Sequence, residues 1–256
     1  MTSSSFSRRG DIASFLAMDV MREANQLQQT GQNICHLEVG QPSTKAPQVV
    51  LDAARYAIDS ELIGYTDALG LDDLRQALSA YYYTTYKVDV APERFVITTG
   101  SSAGFIMTFL ACLDAGQKVA VTAPGYPAYT NIIQSLDLKP VTIALGQENN
   151  WTLTTDDLRD AEKTHGAIDA LLIASPANPT GTMLSKQALT ELSLDCTHAG
   201  RWFFSDEIYH GLTYAEEATS ALQVGDHNRL IVMNSFSKFF SMTGWRIGWM
   251  IVPPQM

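Results

Sequence analysis

From Phe95 to Val252 the sequence alternates short apolar runs with stretches of helical spacing, and few folds accommodate that order. The runs at 95–99, 118–122, 141–144, 170–174, 201–205, 230–233 and 246–252 are rich in Val, Ile, Leu and Phe and too short for helices. They predict buried strands. Between them, 103–113, 128–136, 156–164 and 185–198 carry helical spacing and helix-boundary residues. Strands joined by helices run parallel, and a parallel sheet needs helices on both faces. The expected fold class is α/β, a mostly parallel sheet sandwiched by helices. In open sheets of this kind, ligands bind outside the carboxyl ends of the strands.

The first third reads differently. Ile12, Phe15, Leu16, Val20, Ala24 and Leu27 give a helix over 11–30, with Gly31 as the residue that ends it. A short strand is expected over 34–39, before Gly40-Gln41-Pro42. Pro47 opens a second helix to about 60. A loop follows from Gly64 to Gly70, then an amphipathic helix over 71–86.

Of the 256 residues 46% are hydrophobic, enough for a substantial core, and the formal net charge is −10. With that sign and no run of Lys or Arg, neither nucleic acid nor an anionic membrane is an expected partner. The three cysteines, Cys35, Cys112 and Cys196, lack metal-ligand spacing, and no metal site is expected. No apolar stretch approaches the ~18 residues of a membrane span. No secretory core follows the Ser-rich start. The expectation is a soluble cytoplasmic protein.

Clusters of functional character sit where strands are expected to end. Thr99-Gly100-Ser101-Ser102-Ala103 turns a strand into a helix and could offer backbone N–H groups and hydroxyls to an anion, although a plain Ser cap reads the same way. In Ala123-Pro124-Gly125-Tyr126-Pro127-Ala128-Tyr129, two prolines around a Gly-Tyr pair fix a loop that could hold the Tyr126 ring against a flat ligand, or simply cap a core. In Ser175-Pro176-Ala177-Asn178-Pro179-Thr180-Gly181, the prolines stiffen the loop and leave the Asn178 amide as its polar tip. Asp206 follows an apolar run, so it is expected to be half buried at least and to need a cation or N–H donor, unless it caps a helix. Tyr209 follows three residues later.

The last cluster is Ser235-Phe236-Ser237-Lys238-Phe239-Phe240, with Arg246 eight residues after the lysine. Lys238 stands between two apolar runs, where partial desolvation would favour the neutral, nucleophilic amine. Ser235 and Arg246 could hold a phosphate beside it. Amine plus phosphate site suits pyridoxal phosphate. A solvated lysine and a surface arginine remain the alternative.

Asn178-Pro-Thr-Gly, Asp206-x-x-Tyr209 and Ser235-x-Ser-Lys238 with Arg246 together resemble the class I and II pyridoxal phosphate-dependent aminotransferases, of the fold-type-I architecture of aspartate aminotransferase. The resemblance runs from about Asp11 to the last residue. It implies pyridoxal 5'-phosphate as cofactor, held covalently by Lys238, which also moves the substrate proton. It implies that Asp206 faces the ring nitrogen, that Tyr209 and Asn178 hydrogen-bond the ring oxygen, and that Tyr126 stacks on the ring. Ser101, Ser102, Ser235 and Arg246, with Gly100 and Ser237, match the phosphate cup. Tyr65 matches a residue reaching the phosphate of a neighbouring subunit in a homodimer. Gly40, with Asn178, matches residues beside the substrate carboxylate. Asn178-Pro179 matches a cis peptide.

The implied division is an N-terminal arm and partial small domain over 1–45 and a cofactor-binding large domain over 46–256. The larger C-terminal part of the small domain, with the arginine that clamps the substrate carboxylate, is expected to lie outside this sequence. The implied reaction moves an amino group between an amino acid and a 2-oxo acid. A lyase on the same fold, by β-elimination or decarboxylation, is the alternative, as is a chain that binds cofactor without turnover.

Overall fold

The computed structural model describes residues 7–225 and 228–256. Helices α1 (Leu16–Gln29), α2 (Gln48–Ser60) and α3 (Asp72–Tyr86) precede the sheet. There follow β1 (Phe95–Thr98), α4 (Ser101–Cys112), β2 (Lys118–Ala123), α5 (Pro127–Ser135), β3 (Lys139–Ala144) and α6 (Thr155–His165). The chain continues through β4 (Ala170–Ala174), α7 (Lys186–Ala199), β5 (Trp202–Asp206), β6 (Leu230–Ser235) and β7 (Gly248–Ile251).

Local chemistry accounts for the helix ends. Past α1, Gly31 takes a φ of 91°, the positive region that closes a helix cheaply only for glycine. Thr154 and Asp157 form a reciprocal capping box at the start of α6. Ser185 accepts from the Ala188 N–H to start α7, and Gly200, in the left-handed region, ends it.

The strands form one sheet in the order β1-β7-β6-β5-β4-β2-β3. All neighbours are parallel except β7, which runs antiparallel to both β1 and β6. The short segment between Ser235 and Gly248 folds back as a turn rather than a crossover, so the chain reverses into an antiparallel pairing with β6. Side chains alternate between two cores: Leu171, Ile173, Phe203 and Val232 pack with α3, α6 and α7, whereas Ala170, Leu172, Phe204 and Ile231 pack with α4 and α5.

One expected element is absent. Residues 34–39 form no strand, and Leu37 is 88% exposed. The apolar pattern was right for a strand, but a strand needs a neighbour for its N–H and C=O groups, and this segment has none among the described residues. Helices α1 and α2 contain no buried residue, and Val49, Ile58, Leu62 and Ile63 lie exposed along and just past α2. No described helix is long and apolar enough to cross a membrane.

Candidate active site

Strand register brings the sequence clusters to one edge of the sheet. Thr98 at the end of β1 and Ser235 at the end of β6 both pair with Gly248, the first residue of β7. The turn after β1, the lysine stretch after β6 and Arg246 before β7 are thus adjacent. Glycine at 248 is a packing requirement: a Cβ there would stand 2.9 Å from the Asn234 carbonyl oxygen, the Gly100 carbonyl carbon and the Ser101 nitrogen. Gly100 has a φ of 76°, and a Cβ on it would run into the Arg246 guanidinium. With glycine at its cap, α4 starts without a side-chain acceptor, leaving the helix's positive end beside Arg246.

Ser101 begins α4 half-buried and Ser102 is exposed beside it. Ser235 and Ser237 are both buried, and they shape the turn: the Ser235 hydroxyl accepts from the Ser237 N–H at 3.1 Å, and the Ser237 carbonyl accepts from Thr243 Oγ1 at 2.7 Å. Lys238, presented by this turn, is half-buried. Its Nζ donates to the Gly40 carbonyl at 2.8 Å and stands 5.9 Å from the centre of the Tyr209 ring. Burial, and then the charge of Arg246, push the lysine pKa down.

The Asn178 amide donates to the Tyr209 phenol at 3.3 Å. Burial and Asp206 raise the pKa of that phenol. Ala123-Pro124, Ser175-Pro176 and Asn178-Pro179 are cis. Tyr126 is half-buried, its ring edge-on to Phe15 at 5.7 Å and to Tyr129 at 5.2 Å.

Asp206 ends β5, 3% exposed and followed by a turn, so it caps no helix. Its carboxylate accepts from the Tyr129 phenol at 2.5 Å and from the Ile208 N–H at 3.0 Å. Burial pushes its pKa up to about 6, although both hydrogen bonds pull the other way. A proton or a cationic partner is therefore favoured at this spot.

Lys238, Gly40, Tyr209 and Asn178 are joined by direct contacts, and Gly100 abuts Arg246. Tyr65 stands apart from these contacts, fully exposed in the loop after α2. Sequence reading did not single out Tyr129, which closes the same cluster as Tyr126: Tyr126 precedes α5 as its cap and Tyr129 lies in the first turn. Nor did it find the buried pair behind Asp206, Glu207 and His210, which no local spacing announces. An open cavity of about 580 Å³ lies between Gln41, Pro42 and Ala46 on one side and Ser241, Thr243 and Trp245 on the other.

Residues 32–256 match the family model for aminotransferase class I and II. The valine–pyruvate aminotransferase of Mycobacterium tuberculosis is 39% identical over 96% of this chain and 62% of its own length. The crystal structure of an aminotransferase from the same organism superposes with a TM-score of 0.93 at 38% identity, over 99% of this chain and 65% of that one. The aspartate aminotransferase of Thermus thermophilus with maleate gives a TM-score of 0.92 at 28% identity, over 98% of this chain and 65% of that one. The chain thus spans less than two thirds of the length of these relatives.

Proposed function

The chain belongs to the class I and II aminotransferases, and we propose that it moves an amino group between an amino acid and a 2-oxo acid with pyridoxal phosphate held at Lys238. The observation that carries this reading is the conjunction of a half-buried lysine whose pKa burial and Arg246 push down with that same Arg246 lying against the uncapped start of α4. The residues suit the cofactor. Glycine at 100 lets the Arg246 guanidinium lie against the start of α4, where a Cβ would push it away and no side chain caps the helix. Asp206 is buried with its pKa raised, so a protonated ring nitrogen would relieve its isolation.

Bound there, pyridoxal phosphate would supply an electron sink for the pair left at the substrate α-carbon. Arg246 would pair with the phosphate, and the N–H groups and hydroxyls of Ser101 and Ser102 would complete its donors. Ser235 and Ser237, engaged with the turn, fix the direction in which Lys238 leaves it. Asp206 would hold the ring nitrogen protonated. Asn178 and Tyr209 would supply donors at the ring oxygen, and Tyr126 would flank the ring. Lys238, with a proton more easily lost than that of a free lysine, is the group suited to carry a proton to and from the α-carbon. Gly40, whose carbonyl faces Lys238, lies on the side where the substrate carboxylate would enter.

A homodimer accompanies this reading. The exposed apolar residues Ile58, Leu62 and Ile63 precede the exposed Tyr65, and a second copy would cover the first three and bring the tyrosine to its phosphate site.

The decisive experiment is chemical. Incubation with pyridoxal phosphate, borohydride reduction, digestion and mass spectrometry should place the pyridoxyl mass on Lys238 and nowhere else in quantity. Label spread over other lysines, with Lys238→Ala labelled as before, sinks the proposal. Amino transfer is then followed with valine, alanine and aspartate as donors and pyruvate and 2-oxoglutarate as acceptors.

A further inference from the structure

Behind Asp206 lies a buried polar cluster that the proposed chemistry does not use. Glu207 is 1% exposed and His210 is 3% exposed. Glu207 Oε1 accepts from Ser205 Oγ at 3.3 Å, Ser220 Oγ at 3.0 Å and the Ala221 N–H at 2.7 Å. Its Oε2 accepts no hydrogen bond and faces His210 Nδ1 at 3.6 Å. The other imidazole nitrogen, Nε2, lies 3.0 Å from the Ser175 carbonyl oxygen. A carbonyl only accepts, so Nε2 carries the proton. Nδ1, 2.9 Å from the Tyr86 phenol, is then the acceptor of the phenol's proton.

We propose that His210 is the positioning residue of this site: its imidazole, braced by Tyr86 of α3, holds the Ser175 carbonyl and so sets where Asn178 stands against Tyr209. The loop from Ser175 to Leu184 is tied mostly to itself. Pro176 and Pro179 have no N–H to donate. The loop's backbone is tied by Ser175 N–H to Asp206 O and by four bonds of its own: Ala177 N–H to Thr182 O, Gly181 N–H to Ala177 O, Leu184 N–H to Ser175 Oγ at 3.0 Å and Thr182 N–H to Thr180 Oγ1 at 3.5 Å; none of them holds the Ser175 carbonyl. His210 thus joins the Asn178 loop to α3 through the Ser175 carbonyl and the Tyr86 phenol. Burial pushes the His210 pKa down to about 4, which keeps the ring neutral near neutral pH, and the Ser175 carbonyl selects the tautomer protonated at Nε2. The inference rests on the proposed function only in giving Asn178 a cofactor to meet.

The test begins on the cofactor-free protein. Imidazole ¹⁵N spectra should show His210 protonated at Nε2 and unprotonated at Nδ1 between pH 6 and pH 8. His210→Phe removes the donor and should move the Asn178 side-chain amide signal toward that of a solvated amide. His210→Gln, whose amide nitrogen can replace Nε2, should keep that signal near its wild-type position. Pyridoxal phosphate affinity should fall about tenfold in His210→Phe and about twofold or less in His210→Gln. A purely structural role predicts something else: His210→Phe lowers the unfolding midpoint while the Asn178 signal and the affinity stay as in wild type. That result, or a His210→Gln variant as damaged as His210→Phe, overturns the proposal. Should His210→Phe not fold, Tyr86→Phe is expected to shift the Asn178 signal in the same direction, and an unmoved signal there is equally fatal. If wild type binds no pyridoxal phosphate, the functional reading fails, while the Asn178 signal still decides the positioning role.

Discussion

The Tyr129 phenol donates to Asp206 Oδ2 across 2.5 Å, and both side chains are buried at the end of β5. The bond stabilises the ionised carboxylate against a burial that pushes its pKa up to about 6. Tyr129→Phe should therefore cost about 1.5–3 kcal/mol of folding stability where Asp206 is ionised, the range for a hydrogen bond to a charged group. Because the bond serves the ionised form, the loss should be larger at pH 8 than at pH 5. Urea unfolding at both pH values measures it. Equal losses would mean that the phenol contributes packing alone.

Asp206→Ala should leave cofactor attachment at Lys238 possible but remove the partner of the ring nitrogen. With ¹⁵N-labelled pyridoxal phosphate, the nitrogen should read as protonated in wild type and unprotonated in the variant. Amino transfer should fall by about 10²–10⁴, the equivalent of the ~3–5 kcal/mol lost when one member of a buried charge pair is removed. A nitrogen that stays protonated in the variant would remove Asp206 from the proposed chemistry.

Arg246→Ala and Gly100→Ala act on the anion cradle from opposite sides. The first removes the charge; the second adds a methyl group into the guanidinium's place, on a backbone with φ of 76°. Each should weaken pyridoxal phosphate binding by about ten- to a hundredfold, the worth of one charge-assisted hydrogen bond. Binding of pyridoxal, which lacks the phosphate, should change little. Fluorescence titration with both ligands checks the pair.

Glu207 and His210 give the stability a predictable dependence on pH. Burial raises the Glu207 pKa from 4.5 to about 7, so its contribution is complete below pH 4.5 and is lost as pH rises through 7. His210 is depressed from 6.5 to about 4, so its contribution is complete above pH 6.5 and is lost as pH falls through 4. Between pH 4.5 and 6.5 the two slopes oppose each other. Glu207→Gln removes the first. Relative to wild type, the variant should gain about 3 kcal/mol in going from pH 5 to pH 8, from the raised pKa at 1.36 kcal/mol per unit. Parallel urea series for the two proteins would show no such gain if Glu207 were ionised throughout.

The proposed homodimer has a direct test. Leu62, 98% exposed, and Ile63, 72% exposed, adjoin Tyr65. The double substitution Leu62→Glu and Ile63→Glu should convert a dimer to a monomer in sedimentation while leaving the fold intact. A wild-type chain that sediments as a monomer at tens of micromolar would end this part of the proposal.

Much of the molecule could be read along the chain, because the signals concerned are local. Alternation of apolar runs with helical spacing announced β1 through β7 and the helices between them. Gly31, Thr154 and Ser185 mark their helix ends through bonds to residues only a few positions away. The clusters around Gly100, Asn178, Asp206 and Lys238 could be placed at strand ends for the same reason: each follows its own strand directly.

What sequence could not decide is who stands beside whom. The apolar pattern at 34–39 lacked nothing but a neighbour, and Leu37 stands in solvent for want of one. The order β1-β7-β6-β5-β4-β2-β3, and the reversed direction of β7, follow from how helices pack on both faces and from a turn too short for a crossover. Tyr129 meets Asp206 from 77 residues away, and His210 meets Ser175 from 35. Such contacts are absent from any local spacing, since a buried polar group is satisfied by whichever donor the packed fold delivers to it. Local chemistry thus determined the elements and the residues at their ends, and packing alone chose the partners that set the charge on Asp206 and the place of Asn178.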